Sequence, residues 1–186
     1  RAAVKPEFDK WWQTATPEGV LNRNPLEGLH WHAPLNEGAG TKAAFAVSGQ
    51  VRHLTLGDGY VWGAGSRGGK ALTFRASGSV ASIPDVGDFG RTQPFTVSLW
   101  IKVSRRNVTG AVLARMDPSQ QHRGWDVWLE GERPGIHIIH NWPDDAIKIV
   151  ANNPLPYNKW NHLTITYDGT GRAEGVTISV NGAVVP

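Results

Sequence analysis

Hydrophobic and polar residues alternate with a period of two along most of the chain after residue 26. The runs FTVSLWIKV at 95–103, HLTITYDG at 162–169 and GVTISVNG at 175–182 each place apolar side chains at every second position. Strands that bury one face of an antiparallel sheet have this period, and turn residues separate the runs. No helical stretch of the kind that parallel βαβ folding requires lies between them. The pattern therefore predicts an all-β protein, with an antiparallel β-sandwich over residues 27–186.

The first 26 residues follow a helical pattern instead. Four apolar residues fall at positions i, i+3, i+4 and i+7, which places them on one stripe of a helix. Two tryptophans on such a short helix need a partner surface, either the domain itself or an upstream neighbour; a helix lying on a membrane surface is the alternative. Residues 1–26 are thus predicted to be a helix and linker from an upstream region. The stripe consists of Phe8, Trp11, Trp12 and Ala15.

Composition narrows the range of functions. The 186 residues include no cysteine, which excludes disulfides, thiolate metal sites, a cysteine nucleophile and covalently attached haem within this chain. The net charge is +3, and the basic residues are scattered along the chain, with Arg105-Arg106 as the only adjacent pair. This distribution predicts no binding of nucleic acid. Because no run of eighteen apolar residues occurs, no transmembrane segment is predicted.

Five segments of the β region resemble, in the same order, the laminin-G-like branch of the concanavalin A-type jelly rolls. They are GLHWHAPLNEGAG, ALTFRASGSVASIP, QPFTVSLWIKV, GWDVWLEG and KWNHLTITYDGTGRAEGVTISVNG. The last is the most specific, because W-x-H, alternating hydrophobic residues, Y-D-G and a V-N-G turn recur together in such domains. The resemblance extends from Leu26 to Pro186 and implies a jelly-roll β-sandwich.

A narrower resemblance concerns the run ARMDPSQQHRGWDVWLEGERPGIHIIHNWPDDAIKIV and the helix that precedes the domain. Both are similar to laminin-G-like modules in large planctomycete cytochrome-associated proteins. This resemblance implies an exported multidomain parent, periplasmic or extracellular, with any haem outside this chain.

The resemblance stops at the C-terminus. Laminin-G-like domains usually continue past the V-N-G hairpin into strands that close the sandwich, whereas this sequence ends at Val185-Pro186. An unpaired sheet edge exposes backbone donors and acceptors to association. We therefore expect a further segment or another chain to complete the sandwich.

The segment GWDVWLEGERPGIHIIHNWPDDAIKIV, residues 124–150, is the strongest candidate for a site, and catalysis is the first alternative to consider. Glycoside hydrolases hold two carboxyl groups about 5 Å or roughly 6.5–9.5 Å apart. Asp126 and Glu130 share a strand face but lie roughly 13 Å apart along it. Glu132 is expected in a turn over residues 131–135. Because E-x-D-x-x-E and G-x-S-x-G motifs are also missing, no enzymatic activity is predicted, and a polysaccharide hydrolase is kept as an alternative.

A metal site is the second alternative. His30 and His32 form an H-x-H pair whose rings point the same way on a strand, which would suit zinc if a third ligand converged. The plainer interpretation is two histidines on a solvated face. The resemblance implies calcium instead, because laminin-G-like domains often hold this ion through loop oxygens. The candidate calcium ligands are Asp85, Asp88, Asp144 and Asp145.

A binding surface is the third alternative. Trp128 lies opposite the apolar series of its strand, and a polar and aromatic loop is expected over residues 140–145. Sugars stack on aromatic faces and hydrogen-bond with carboxylates and amides, so this chemistry suits carbohydrate; packing against a second layer or a neighbouring domain would also explain the tryptophans. Trp31 and Trp160 are expected in the core. The candidate ligand-binding residues are Trp128, Trp142, Asp126, His140, Asn141, Asp144 and Trp100.

The sequence thus predicts a non-catalytic recognition or docking module whose partner is a carbohydrate or a neighbouring domain. A purely structural module that spaces redox or enzymatic neighbours in a larger exported protein is the other non-enzymatic alternative.

Overall fold

Antiparallel strand pairs organise this structure, a computed structural model that describes residues 5–14, 27–74 and 81–186. Short 3-10 turns lie at Ser66–Gly68, Pro118–Gln120 and Ala173–Gly175. The helix and strands are α1 (Lys5–Thr14), β1 (Trp31–His32), β2 (Lys42–Val47), β3 (Gln50–Thr55), β4 (Tyr60–Ala64), β5 (Lys70–Phe74), β6 (Phe95–Lys102), β7 (Gly110–Asp117), β8 (Arg123–Glu130), β9 (Arg133–Asn141), β10 (Asp145–Val150), β11 (Trp160–Tyr167), β12 (Val176–Val180) and β13 (Ala183–Val184).

Two four-stranded antiparallel sheets make up the main body. The front sheet has the strand order β10-β9-β8-β7, and the back sheet has the order β13-β12-β11-β6. Two smaller antiparallel sheets, β1-β2-β3 and β4-β5, precede them in the chain. This arrangement confirms the predicted all-β jelly-roll sandwich with a short N-terminal helix.

The core lies between the front and back sheets. Alternate side chains of β8 and β9 meet alternate side chains of β6, β11 and β12 in a single cluster. The most deeply buried members have no exposed surface, and the rings of Phe95 and Trp125 join the two sheets at a centroid distance of 5.3 Å. Apolar burial of this kind contributes about 25 cal/mol per Å², so it is the main stabilising term. The residues with no exposed surface are Val127, Ile136, Leu163 and Ile165.

Two of the hairpin turns use two residues with positive φ. Asn181 and Gly182 have φ of 53° and 82° and join β12 to β13, as the Asn-Gly pair predicts. Gly131 and Glu132 join β8 to β9 with φ of 57° and 69°. This second turn is tighter than the predicted 131–135, because residues 133–135 already belong to β9.

Helix α1 is present, as its pattern predicts. It ends at Thr14, and Trp11 is 36% exposed. Ala15, the end of the predicted stripe, and the rest of the linker lie outside the described residues. Among the residues that the structure describes, no helix has the length and apolar character to cross a bilayer.

The prediction that Trp31 and Trp160 belong to the core is wrong. Trp160 is half-buried on the outer face of the back sheet, because Asn161 takes the inward position beside it. Asn161 is 1% exposed, and its Nδ2 donates to the carbonyls of Pro156 and Lys159 at 3.3 and 2.9 Å. Trp31 is half-buried in the two-residue strand β1, which is shorter than the predicted GLHWHAPL strand.

Tyr167 provides a test of the polar contacts that hold the sandwich together. Its hydroxyl donates to the Arg91 carbonyl at 2.7 Å and accepts from the Gly171 N–H at 2.7 Å, and the residue is 2% exposed. Tyr167→Phe leaves both backbone groups unsatisfied, so we expect it to lower the unfolding free energy by about 1–3 kcal/mol in urea titrations. Tyr157→Phe is the control, because Tyr157 is 42% exposed; an equal loss in both variants would contradict this role.

Candidate functional site

The outer face of the front sheet holds a buried hydrogen-bonded aspartate and histidine rather than a solvated row of side chains. Asp126 on β8 lies opposite His137 on β9, and both side chains point away from the core. Their exposures are nevertheless only 3% and 7%. The Asp126 carboxylate accepts from the His137 backbone N–H at 3.0 Å and lies 2.8 Å from His137 Nδ1. Asp126 therefore fixes the backbone and the imidazole of His137.

Two tryptophans enclose the His137 ring. Trp128 and Trp142 each present an edge-to-face contact to it, with centroid distances of 5.4 Å in both cases. Such aromatic pairs contribute about 0.5–1.5 kcal/mol beyond their buried area. These three rings, the front aromatic cluster, form a small second layer on the sheet. Trp128 is half-buried within this layer, whereas Trp142 remains 40% exposed at its edge.

A shallow polar pocket lies next to Trp142. Its volume is about 300 Å³, and the backbone N–H of Trp142 donates to the Gln121 carbonyl at 3.1 Å, which ties the two loops of the site together. His140 and Asn141 enter it from the end of β9, so they are strand residues rather than the loop residues that the sequence predicts. The pocket is lined by Ser119, Gln120, Gln121, His140 and Asn141.

Two enclosed polar atoms near this site have no hydrogen-bond partner among the described residues: Trp128 Nε1, a donor, and Asn141 Oδ1, an acceptor. An unsatisfied buried polar atom costs about 1–3 kcal/mol, so such atoms are uncommon in native structures. By contrast, the indole N–H of Trp125 in the core donates to the Gly87 carbonyl at 2.7 Å. Trp31 Nε1 and the Tyr60 hydroxyl, in the smaller sheets, also lack a partner among the described residues, so this feature is shared by the front sheet and the smaller sheets.

The structure brings together only some of the predicted ligand residues. His140 and Asn141 line the polar pocket, whereas Trp142, the next residue in the chain, does not belong to its lining. Asp144 is exposed in the turn after Trp142. Asp126 is enclosed too completely to touch a ligand, which departs from the prediction, because its carboxylate is occupied by His137. Trp100 is 43% exposed but lies on β6 of the back sheet, away from the others.

Sequence reasoning missed His137 and the three residues before β8 that line the pocket. His137 looks like an ordinary outward residue of an alternating strand. Ser119, Gln120 and Gln121 form a 3-10 turn and its end, and only the bond between Trp142 and Gln121 draws them to the site. The one local signal is backbone conformation, since Gln121 and His122 both have positive φ, at 53° and 61°.

The carboxylate of Glu130 is engaged by two cations. It lies 2.5 Å from Lys148 Nζ and 2.8 Å from Arg133 Nη2. The hydrogen bond from Lys148 lowers the pKa of Glu130 below its ordinary value, and the charges of Lys148 and Arg133 add to this effect. Glu130 is thus held as an anion in an ion-pair network, and Asp126 is enclosed, so this strand offers no carboxyl pair open to a substrate.

The geometry of the described residues does not assemble a ligand set for either predicted metal site. Among residues 5–14, 27–74 and 81–186, no group of three or more His, Cys, Asp and Glu side chains is placed to hold an ion. His30 and His32 instead line a groove beside β1 and β2, where the His30 ring contacts Phe89 edge-on at 5.9 Å. Asp85 and Asp88, like Asp144 and Asp145, are exposed two-acid pairs, and such a pair does not fit the 6–8 oxygen ligands that Ca²⁺ prefers. Calcium binding stays a prediction.

Comparison with known proteins agrees with this architecture. The profile of the family described as the concanavalin A-like lectin/glucanases superfamily (Laminin_G_3) matches residues 74–186, more than half of the chain. The chain belongs to this family. It is also similar to botulinum neurotoxin type X of Clostridium botulinum, at 27% identity over 100 residues. That match covers 52% of this chain and 7% of the neurotoxin.

Replacing Asp126 tests how this laminin-G-like domain holds His137. Asp126→Ala leaves the His137 N–H without an acceptor in an enclosed site, so we expect the unfolding free energy to fall by about 1–3 kcal/mol in denaturant titrations. Asp144→Ala is the matched control, because this exposed aspartate should change stability by less than about 0.5 kcal/mol. Equal effects of the two substitutions would contradict the buried role of Asp126.

The lowered pKa of Glu130 gives the domain an acid-sensitive contribution to stability. The unfolded state binds a proton at this carboxyl at a higher pH than the folded state does, so stability is present above the unfolded pKa and is lost as pH falls through the folded one. We expect Glu130→Gln to make the fall in unfolding free energy between about pH 5 and pH 3 shallower than in the wild type.

Lys148→Met should produce part of the same flattening, because it removes the main cause of the shift. Lys42→Met, on the exposed start of β2, is the control and should leave the slope unchanged. If the unfolding free energy of Glu130→Gln falls with pH as steeply as that of the wild type, the ion-pair interpretation is contradicted.

Proposed function

We propose that this chain is a non-catalytic recognition module that binds an uncharged carbohydrate at the polar pocket beside Trp142. The observation that carries the proposal is the combination of an exposed indole with a pocket lined by hydroxyl, amide and imidazole groups. Sugars present apolar C–H faces that stack on aromatic rings and hydroxyls that pair with such groups. Binding would involve stacking and hydrogen bonds and no covalent step.

The unpaired acceptor at Asn141 supports this proposal. Its side chain lines the pocket, and its buried Oδ1 has no donor among the described residues. A rotation of the amide that turns Oδ1 toward the pocket would let a sugar hydroxyl donate to it and would recover the cost of that burial. The Asp144 carboxylate, exposed two residues beyond Trp142, is a further acceptor at the rim. Lectins belong to the family that the chain matches, which agrees with a binding role.

Preorganisation supports it as well. Trp142 is held on one side by the edge of His137, which Asp126 fixes, and on the other by its bond to the Gln121 carbonyl. A rigid aromatic platform loses little conformational entropy when a ligand binds, which raises affinity. Asp126, His137 and Trp128 thus act as positioning residues for Trp142 and do not themselves contact the ligand.

The wider setting is part of the proposal. We infer that the module acts outside the cytoplasm, as part of a larger protein that it would hold on its glycan. The sequence resemblance suggests that this larger protein is a planctomycete cytochrome-associated protein. Another chain or segment that completes the sandwich belongs to the same proposal.

A glycan array followed by affinity gels tests the function. We expect retention on at least one neutral glycan, and Trp142→Ala and Asn141→Ala should each weaken it by roughly tenfold, the loss that corresponds to about 1.4 kcal/mol. Trp100→Ala is the control, because it removes an equally exposed tryptophan from the other sheet. Retention on no neutral glycan, or wild-type retention by Trp142→Ala, would contradict the proposal and favour a structural spacer.

A further inference from the structure

The back sheet differs from the front sheet in its charge. Its four strands, FTVSLWIK, WNHLTITY, VTISV and AV, contain no aspartate or glutamate. The front-sheet strands contain Asp117, Asp126, Glu130 and Asp145. A ligand that approaches the outer face of the back sheet therefore meets no carboxylate from the strands.

Basic and aromatic side chains gather at one end of this face. Strand pairing sets Lys102 opposite Trp160, and the Lys102 ammonium lies 5.7 Å from the Trp160 ring centroid. In the adjoining loops, the Arg106 guanidinium lies over the Tyr157 ring at 3.9 Å. Cations in such positions are attracted by the ring electrons, so they are held against the surface. We call Trp100, Lys102, Arg106, Tyr157, Lys159 and Trp160 the basic-aromatic patch.

Contacts within the fold hold this patch in place. The Tyr157 hydroxyl donates to the Ser104 carbonyl at 3.3 Å, and the Asn158 N–H donates to the Val103 carbonyl at 2.9 Å. Glu132 bonds one of these loops, because its Oε1 accepts from the Asn107 N–H at 2.8 Å. Glu132 is only 9% exposed, so its side chain does not reach the surface where a ligand would contact the patch.

Hydroxyl groups extend the patch along the sheet. Six serine and threonine residues share the outer face with Trp100. They form two ranks, that is, two rows that run across the strands: neighbours within a row are about 4.8 Å apart, and the two rows are roughly 6.6 Å apart along the strands. Trp100 sits where the hydroxyls meet the basic groups, with its ring 5.2 Å from that of His162. The ranks are Thr96, Thr166 and Thr177, followed by Ser98, Thr164 and Ser179.

We propose that this face binds a linear acidic polysaccharide, one that bears carboxylate or sulfate groups. A sugar ring stacks on Trp100, its acidic groups pair with Lys102, Lys159 and Arg106, and its hydroxyls bond the serine and threonine ranks. Charge complementarity selects an anion, and the hydroxyl ranks select a hydroxyl-rich polymer. Nucleic acid fits less well, because a duplex carries one charge per about 1.7 Å and its proteins neutralise many phosphates, whereas this patch offers few cations. The inference is independent of the neutral site beside Trp142.

Retention of the whole chain on three resins tests the proposal: polygalacturonate and dextran sulfate as the carboxylate and sulfate arms, and unmodified dextran as the neutral arm. We expect salt-sensitive retention on at least one acidic resin. Lys102→Gln/Lys159→Gln should weaken it on the order of tenfold, because charge-assisted bonds are lost, and Trp100→Ala should weaken it without any change in charge.

Matched variants separate a site from general attraction between opposite charges. Lys10→Gln/Lys42→Gln removes the same charge from α1 and β2, and it should retain wild-type binding; circular dichroism and thermal melts confirm that each variant is folded. An equal loss in this control, wild-type binding by Trp100→Ala, or tighter retention on a single-stranded oligonucleotide than on either acidic resin would overturn the proposal. Trp142→Ala should leave acidic retention unchanged, so failure of the neutral site is distinguishable from failure of this one.

Discussion

The burial of alternate side chains between the front and back sheets is the constraint on which the rest of the structure depends. Val127 and Ile136 of the front sheet share one cluster with Leu163 and Ile165 of the back sheet, and none of the four has exposed surface. Since side chains alternate strictly along a strand, fixing these residues inward fixes their neighbours outward. The outer faces, where both proposed ligands bind, are a direct consequence of the packing of the inner ones.

The two outer faces nevertheless have different physical character. On the front sheet, a buried carboxylate and three aromatic rings form an extra layer, and exposed polar chemistry is confined to its rim. On the back sheet, hydroxyls, indoles and cations remain at the surface. One face therefore suits a small, local contact with an uncharged sugar, and the other suits an extended contact with an acidic polymer. A module with both would bind a mixed glycan through two surfaces on opposite sides of one core.

The period-two pattern predicts much of this fold, because one buried face per strand leaves its mark on the sequence: β6, β11, β12 and the Asn181-Gly182 turn all follow from it. Extended back from Leu163, the same pattern puts Asn161 inward and Trp160 outward, as the structure has them, so the prediction of Trp160 in the core departed from the pattern. The pattern does not predict contacts between residues that are distant in sequence. It leaves Asp126 available for a ligand, whereas His137 occupies its carboxylate in the structure. The contact between Trp142 and Gln121 likewise joins two separate loops. Lys102 and Lys159 lie far apart in sequence, but the pairing of β6 with β11 sets Lys102 opposite Trp160, the residue that follows Lys159.

Cysteine accessibility along β6 tests the central constraint most directly, because the chain has no cysteine of its own. Thr96→Cys, Val97→Cys and Ser98→Cys place a thiol at three consecutive positions, of which only Val97 is buried. Under native conditions we expect a maleimide to label residues 96 and 98 rapidly and residue 97 at least about 100-fold more slowly, at the rate of local opening. Similar rates at all three positions, or a fast reaction at 97 with slow reactions at its neighbours, would contradict a sandwich with this register.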